Sequence, residues 1–144
     1  MSEAVAPSQA SKVEPITGIV PMIHVADPER SIAFYRLLGF EVGNRVPPVG
    51  KPHWAWLYQP NAANWKRGAN LMIARSECAI NAEGQAVLFY LYATDLVALR
   101  NRLLADGAKV SEISHPEYLP EGEFKMADPD GYCLMVAQSG RDTP

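Results

Sequence analysis

The sequence predicts an α+β fold built from two βαβββ modules, with eight strands and two helices. The first observation behind this prediction is a repeat: residues 19–42 align without a gap with residues 87–110, at a constant offset of 68 residues. The second is that each copy has the pattern of a strand, a capped helix, a glycine and another strand. Solenoid repeats have periods of about 20–50 residues. The longer offset favours two copies of one unit in a single domain.

The first copy has a physical reason for each of its elements. In Pro21–Ala26, apolar residues alternate with others, as expected of a strand. Asp27 is a good N-cap because its carboxylate can accept the free amide hydrogens of the first helical turn. Pro28 suits the first helical position, where an amide hydrogen has no partner. Gly39 can adopt the left-handed conformation that ends a helix. The buried stripe of the helix is predicted to be Ile32, Tyr35 and Leu38.

The second copy repeats this scheme. Its N-cap is predicted to be Thr94 or Asp95, and Gly107 ends the helix. The buried stripe is Leu96, Leu99 and Leu103.

Three further strands are predicted to follow each helix. In the first module they are Phe40–Arg45, His53–Gln59 and Ala69–Arg75, and in the second Ala108–Ile113, Glu123–Ala127 and Tyr132–Ala137. The last pair forms a hairpin across Asp128–Gly131, which reads Asp-Pro-Asp-Gly and is typical of a turn. We therefore expect one domain at 16–139, with modules at 16–75 and 86–139. Residues 1–15 are expected to be a disordered tail and 140–144 a C-terminal tail.

Composition limits the possible partners. The net charge is −3 and there is no basic run, so nucleic acid is not an expected partner. No apolar run reaches the roughly 20 residues that span a bilayer, so no membrane partner is expected. Residues 1–15 lack the features of a secretory signal. Two cysteines, Cys78 and Cys133, do not make a disulfide scaffold in a chain of 144 residues. These observations predict a reduced, cytoplasmic protein.

The chain resembles a known family at two motifs. Phe34–Val42 reads Phe-Tyr-Arg-Leu-Leu-Gly-Phe-Glu-Val, and the turn Asp128–Gly131 closes the last hairpin. Together with the βαβββ repeat, these motifs are similar to those of the vicinal oxygen chelate superfamily, over about 16–139. That superfamily includes glyoxalase I, extradiol dioxygenases, fosfomycin resistance enzymes and bleomycin resistance proteins. The resemblance implies that the two modules form a curved eight-stranded mixed sheet around a cavity, with the helices on the outer face, and that the chain forms a homodimer. It does not identify the function.

The resemblance also implies where a metal ion would bind. Metal-dependent members carry one ligand seven residues before the capping Asp of each copy, and another on each copy's last strand. Here those positions hold Val20, Leu88, Met72 and Met135. None offers an oxygen or an imidazole nitrogen, and thioethers prefer soft Cu(I). We therefore expect no metal and no cofactor, and the sequence does not support glyoxalase or dioxygenase activity.

Strand alternation predicts a different kind of site at the same place. Starting from Val20 and Leu88, alternation assigns one face of each first strand to the cavity, and the last strands add methionines. The predicted ligand-binding residues are Met22, His24, Met72, Tyr90, Tyr92 and Met135. Such an apolar and aromatic lining suits a small organic ligand. His24 is the one candidate catalytic residue, and a histidine packed in the interior remains an alternative.

Two other groups are ambiguous in the sequence. Trp54, Trp56 and Tyr58 share one face of their strand, which points either to the cavity or to a helix or dimer partner. The second group lies on or beside a loop and suits acid–base chemistry, although solvated charges explain it more simply. This group comprises His115, Glu117, Tyr118, Glu121 and Glu123.

Three functions are compatible with these observations. The first is a metal-free protein that binds an aromatic or apolar small molecule, similar to the bleomycin resistance proteins. The second is an enzyme, which uses either His24 as a general base or a metal site at other positions. The third is an interaction module with a filled cavity. Binding of bleomycin itself is not expected, because a cationic drug favours acidic groups and the predicted lining has none.

Overall fold

The computed structural model describes residues 13–64 and 67–140. These residues form an α+β fold, which is the fold class that the sequence predicts. The strands belong to two sheets. The helices are α1 (Pro28–Leu37) and α2 (Leu96–Ala105), and the strands are β1 (Met22–Val25), β2 (Glu41–Val46), β3 (Trp54–Tyr58), β4 (Asn70–Arg75), β5 (Phe89–Ala93), β6 (Glu123–Ala127) and β7 (Cys133–Gln138).

The repeat in the sequence is also a repeat in the structure. Helix α2 begins and ends 68 residues after α1. The first sheet has the strand order β1-β4-β3-β2 and the second the order β5-β7-β6. In both sheets the first strand of the module runs parallel to the last, and the remaining neighbours are antiparallel.

The predicted eight-stranded sheet is not what the structure shows. The described residues form one four-stranded and one three-stranded sheet, and the segment predicted as a strand at Ala108–Ile113 is extended but unpaired as a strand. The segment still contacts β6 at Ser111, whose backbone N–H donates to the Lys125 carbonyl at 3.0 Å and whose Oγ accepts from the backbone N–H of Lys125 at 2.8 Å. This side chain takes the place that a backbone carbonyl has in a ladder. A single bridge, Ser114 to Glu123, remains where a fourth strand was expected.

The helix ends confirm the reading of the sequence. The Asp27 carboxylate accepts hydrogen bonds from the backbone N–H groups of Glu29 (3.0 Å) and Arg30 (3.5 Å). In the second copy the N-cap is Asp95, which accepts from Ala98 N at 3.0 Å. The terminating glycine of the first helix, Gly39, has φ +90°, a conformation that glycine adopts without steric cost.

The turn at Asp128–Gly131 also joins the two modules. Tyr35 of α1 donates from its buried hydroxyl to Asp128 Oδ2 at 2.8 Å, and Tyr132 donates to the carbonyl of His24 at 2.7 Å. The backbone N–H of Ala26 donates to Asp130 Oδ1 at 2.9 Å. Burial raises the pKa of Asp128, although the hydrogen bond from Tyr35 opposes this shift. The modules therefore share polar contacts as well as one hydrophobic core.

The predicted tails fall largely outside the described residues, because 1–12 and 141–144 are not described. Residues 13–21 form no helix or strand. Within the described ranges, neither helix has the length and apolar character needed to cross a bilayer.

Candidate functional site

Strand alternation gives the first sheet a buried face and an open face. Val25, Ala55 and Ile73 are fully buried in the core that packs under the helices. The opposite side carries the residues that we call the first open face: Met22, His24, Trp54, Trp56, Tyr58 and Met72. Met22 is 47% exposed and pairs with the half-buried Met72 on the neighbouring strand. The tryptophans, whose direction was open in the sequence, therefore lie away from the core.

Trp56 is held in place by three contacts. Its ring stacks on Tyr58 with centroids 5.1 Å apart and planes at 15°. Its Nε1–H donates to Asn70 Oδ1 at 2.7 Å. Gly43 on β2 leaves room for the ring, because a Cβ at that position would lie 2.3 Å from the indole. The indole is thus fixed on the sheet rather than free to move.

The second sheet presents a comparable face. Phe89 and Leu91 pack against the core, whereas Tyr90 and Tyr92 point away from it and are 38% and 37% exposed. Their rings stack with centroids 6.2 Å apart. Tyr90 pairs with Met135 on β7, and these three residues form the second open face. The two tyrosines therefore lie on the face of β5 that alternation in the sequence predicts.

A buried carboxylate lies beside Tyr90. Glu123 is 4% exposed and accepts hydrogen bonds from two hydroxyl groups, Tyr90 Oη at 3.2 Å and Tyr118 Oη at 3.0 Å. Glu123 of β6 and Tyr92 of β5 both pair with Ala137 of the central strand β7, so the Glu123 side chain lies on the same face of the sheet as the tyrosines. Burial, and then hydrogen bonds with Tyr118 and Glu123, raise the pKa of Tyr90 to about 12.

Two clefts run along the outer edge of β5, between the modules. The larger has a volume of about 670 Å³ and is lined in part by Tyr90, Tyr92, Phe40 and Gln59. The smaller, about 230 Å³, brings Tyr90 close to Asn70 of the first sheet. The other predicted ligand residues, Met22, His24, Met72 and Met135, line neither cleft. Within one chain, the two tyrosines therefore line a cleft together, whereas the other four predicted ligand residues lie on the open faces outside both clefts.

The positions that would hold the family's metal ion offer no ligand set. Leu88 is 51% exposed just before β5, and Val20 lies just before β1. Across residues 13–64 and 67–140, no three His, Cys, Asp or Glu side chains come together in a way that could hold a metal ion. His24 is exposed, and its backbone carbonyl accepts the hydrogen bond from Tyr132.

The contacts of three residues beside the open faces are not predicted from the sequence. Gly43 lies inside a strand, and a glycine in that position often marks the close approach of another group. The sequence therefore carries a signal for this contact. Asn70 begins a strand, and nothing in its spacing predicts the bond to Trp56. The sequence places Glu123 at the start of a strand beside a loop and favours a solvated charge there, whereas the structure buries its carboxylate and gives it hydrogen bonds from Tyr90 and Tyr118.

Comparison with known proteins identifies relatives of this fold. The model of the Glyoxalase/Bleomycin resistance protein/Dioxygenase superfamily matches residues 18–136. No curated protein matches the chain significantly.

Several solved structures share the fold at low identity. A bleomycin-binding protein complexed with bleomycin is 18% identical, with 85% of this chain and 98% of that chain covered and a TM-score of 0.67. TnmS3, an antibiotic-binding protein from Streptomyces sp. CB03234, is 20% identical, with coverages of 89% and 100% and a TM-score of 0.68. The bleomycin-binding protein from Streptomyces verticillus, complexed with copper(II)-bleomycin, is 21% identical, with coverages of 89% and 99% and a TM-score of 0.61.

Proposed function

Because the chain belongs to the Glyoxalase/Bleomycin resistance protein/Dioxygenase superfamily, we propose that it binds a small organic molecule that is aromatic or otherwise apolar, and that it does so without a metal ion or cofactor. The observation that carries this proposal is the set of aromatic and methionine side chains on the two open faces. Tyr90, Tyr92 and Met22 are each more than one third exposed. Apolar surface gathered in this way on a soluble chain is typical of a binding site.

The similar structures support binding of an organic ligand, since two of them are complexes with bleomycin or its copper form. The expectation that the lining lacks an acidic group is wrong, because Glu123 lies beside Tyr90. Both oxygens of Glu123 accept hydrogen bonds from tyrosines, so this carboxylate is not free to pair with a cationic drug. We therefore propose an aromatic ligand other than bleomycin.

We further propose that the binding site is completed by a second copy of the chain. The open faces leave Met22, Tyr90 and Tyr92 exposed, and within one chain the clefts reach only the tyrosines. A symmetric dimer would cover both faces and enclose the ligand between them. The free thiols of Cys78 and Cys133 are consistent with a reducing, cytoplasmic location.

Calorimetric titration with 1-naphthol tests the ligand proposal. We expect saturable binding to the wild type. Tyr90→Ala should weaken that binding by about 1 kcal/mol or more, because a stacked ring and its buried area are lost. The matched control is Val97→Ala, which removes an exposed side chain from α2. Binding that is absent in the wild type, or equally weakened by Val97→Ala, would reject the proposal.

The same titration tests independence from metal. Protein treated with a chelator, and protein supplied with zinc or manganese, should bind 1-naphthol with unchanged affinity, because Val20, Met72, Leu88 and Met135 offer no hard or borderline ligand. Near-stoichiometric metal in the purified protein, together with binding that requires it, would instead support an enzyme with its metal site elsewhere.

A further inference from the structure

The environment of Glu123 determines how two tyrosine hydroxyl groups can hydrogen-bond. A hydroxyl group has one proton to donate and two lone pairs that accept. Tyr90 directs its proton to Oε1 of Glu123, and Tyr118 directs its proton to Oε2. With their protons committed to a buried carboxylate, both hydroxyl groups can offer only lone pairs to a third group.

The side chains that carry these hydroxyl groups lie at the surface of the chain. Tyr118 is 69% exposed and Tyr90 is 38% exposed, although the carboxylate between them is almost fully buried. The pKa of Tyr90, raised to about 12, keeps its hydroxyl protonated at neutral pH. The pair therefore remains a stable acceptor site at the edge of the second open face.

Breaking this arrangement is unfavourable. If Tyr90 turned its proton towards a ligand, one oxygen of the Glu123 carboxylate would lose its donor inside the protein. A buried charged acceptor left without a donor costs more than an ordinary hydrogen bond returns. A ligand that presents only an acceptor is therefore disfavoured at this position.

We infer that Glu123, Tyr90 and Tyr118 together select ligands that carry a neutral hydrogen-bond donor, such as a phenolic hydroxyl or an amide N–H, beside their aromatic ring. This inference rests on the proposed binding function and narrows its ligand class. A donor that reaches both tyrosine oxygens gains charge-assisted strength, because the negative charge of Glu123 polarises both hydroxyl groups.

A matched pair of probes tests the inference. 1-Naphthol carries a hydroxyl donor, and 1-methoxynaphthalene has the same ring system with the donor removed. Calorimetric titration of the full chain should show 1-naphthol bound at least about tenfold more tightly than 1-methoxynaphthalene.

Glu123→Gln should reduce this preference to about twofold or less. The amide nitrogen of glutamine donates to one tyrosine, whose own proton is then free to point towards the ligand. Glu117→Gln is the matched control, because it removes the same charge from an exposed neighbour of Tyr118. If Glu123→Gln does not fold, Tyr118→Phe provides the test, since it removes one acceptor at an exposed position and should also lower the preference.

The outcomes separate this inference from the function on which it rests. Equal affinity of the wild type for both probes would overturn the donor preference and leave small-molecule binding intact. A preference that persists in Glu123→Gln and Tyr118→Phe would also overturn it. Failure of both probes to bind the wild type would contradict the proposed function itself.

Discussion

Tyr35→Phe is expected to lower the free energy of unfolding by about 2 kcal/mol, because a hydrogen bond to a charged, buried acceptor contributes about 1.5–3 kcal/mol. The Tyr35 hydroxyl lies 2.8 Å from Asp128 Oδ2, and both residues are buried at the junction of the two modules. Phenylalanine keeps the ring and its packing, so the loss reports on the hydroxyl. Urea denaturation at neutral pH measures it.

The effect of Tyr35→Phe should also depend on pH. The hydroxyl opposes the upward shift in the pKa of Asp128, so its removal raises that pKa further. The folded variant then binds a proton at the Asp128 carboxylate more tightly than the folded wild type does. The difference in free energy of unfolding between the wild type and Tyr35→Phe is therefore largest above the native pKa of Asp128. It becomes smaller as the pH falls through that pKa.

Tyr92→Phe is the control for this substitution, because Tyr92 is exposed on the second open face. Its change in stability should stay within about 0.5 kcal/mol. Equal effects of Tyr35→Phe and Tyr92→Phe, or a deficit of Tyr35→Phe that widens towards acid pH, would show that the bond to Asp128 does not join the modules.

Gly43→Ala is expected to destabilise the protein by about 1–3 kcal/mol, the cost of forcing an added methyl group against a side chain that is held by other contacts. The new Cβ would lie 2.3 Å from the ring of Trp56. That ring cannot move aside without losing its stack on Tyr58 and its hydrogen bond to Asn70. The measurement is urea denaturation, with tryptophan fluorescence reporting the displaced indole.

Gly18→Ala is the matched control, since a Cβ there meets no atom within 4 Å and the backbone is not in the left-handed region. We expect Gly18→Ala to change neither stability nor fluorescence noticeably. A Gly43→Ala variant as stable as the wild type, with unchanged fluorescence, would contradict the fixed position of Trp56 on the first open face.

The local parts of the fold could be predicted because they depend on neighbouring residues. The capping of α1 by Asp27 and the left-handed glycine after it follow from side-chain chemistry within a few positions. The burial pattern of β5 follows from alternation, so Tyr90 and Tyr92 lie on the side that the sequence predicts.

What could not be predicted depends on contacts between distant segments. Ala108–Ile113 alternates like a strand, yet Lys125 donates to the Ser111 side chain instead of to a backbone carbonyl, and the pairing with β6 is an isolated bridge at Ser114. The buried Glu123 carboxylate accepts hydrogen bonds from Tyr118 of the preceding loop and from Tyr90, 33 residues away. The periodicity of the sequence does not predict such contacts, because they depend on how the modules and loops pack against one another.

Native mass spectrometry in the presence of 1-naphthol tests most directly whether two chains together build a ligand site. We expect a species with twice the 15.8 kDa mass of the chain that carries bound 1-naphthol, and we expect dilution to the monomer to release the probe. A monomer that retains 1-naphthol would show that the site needs no second copy. A dimer that never binds 1-naphthol would contradict the proposed function.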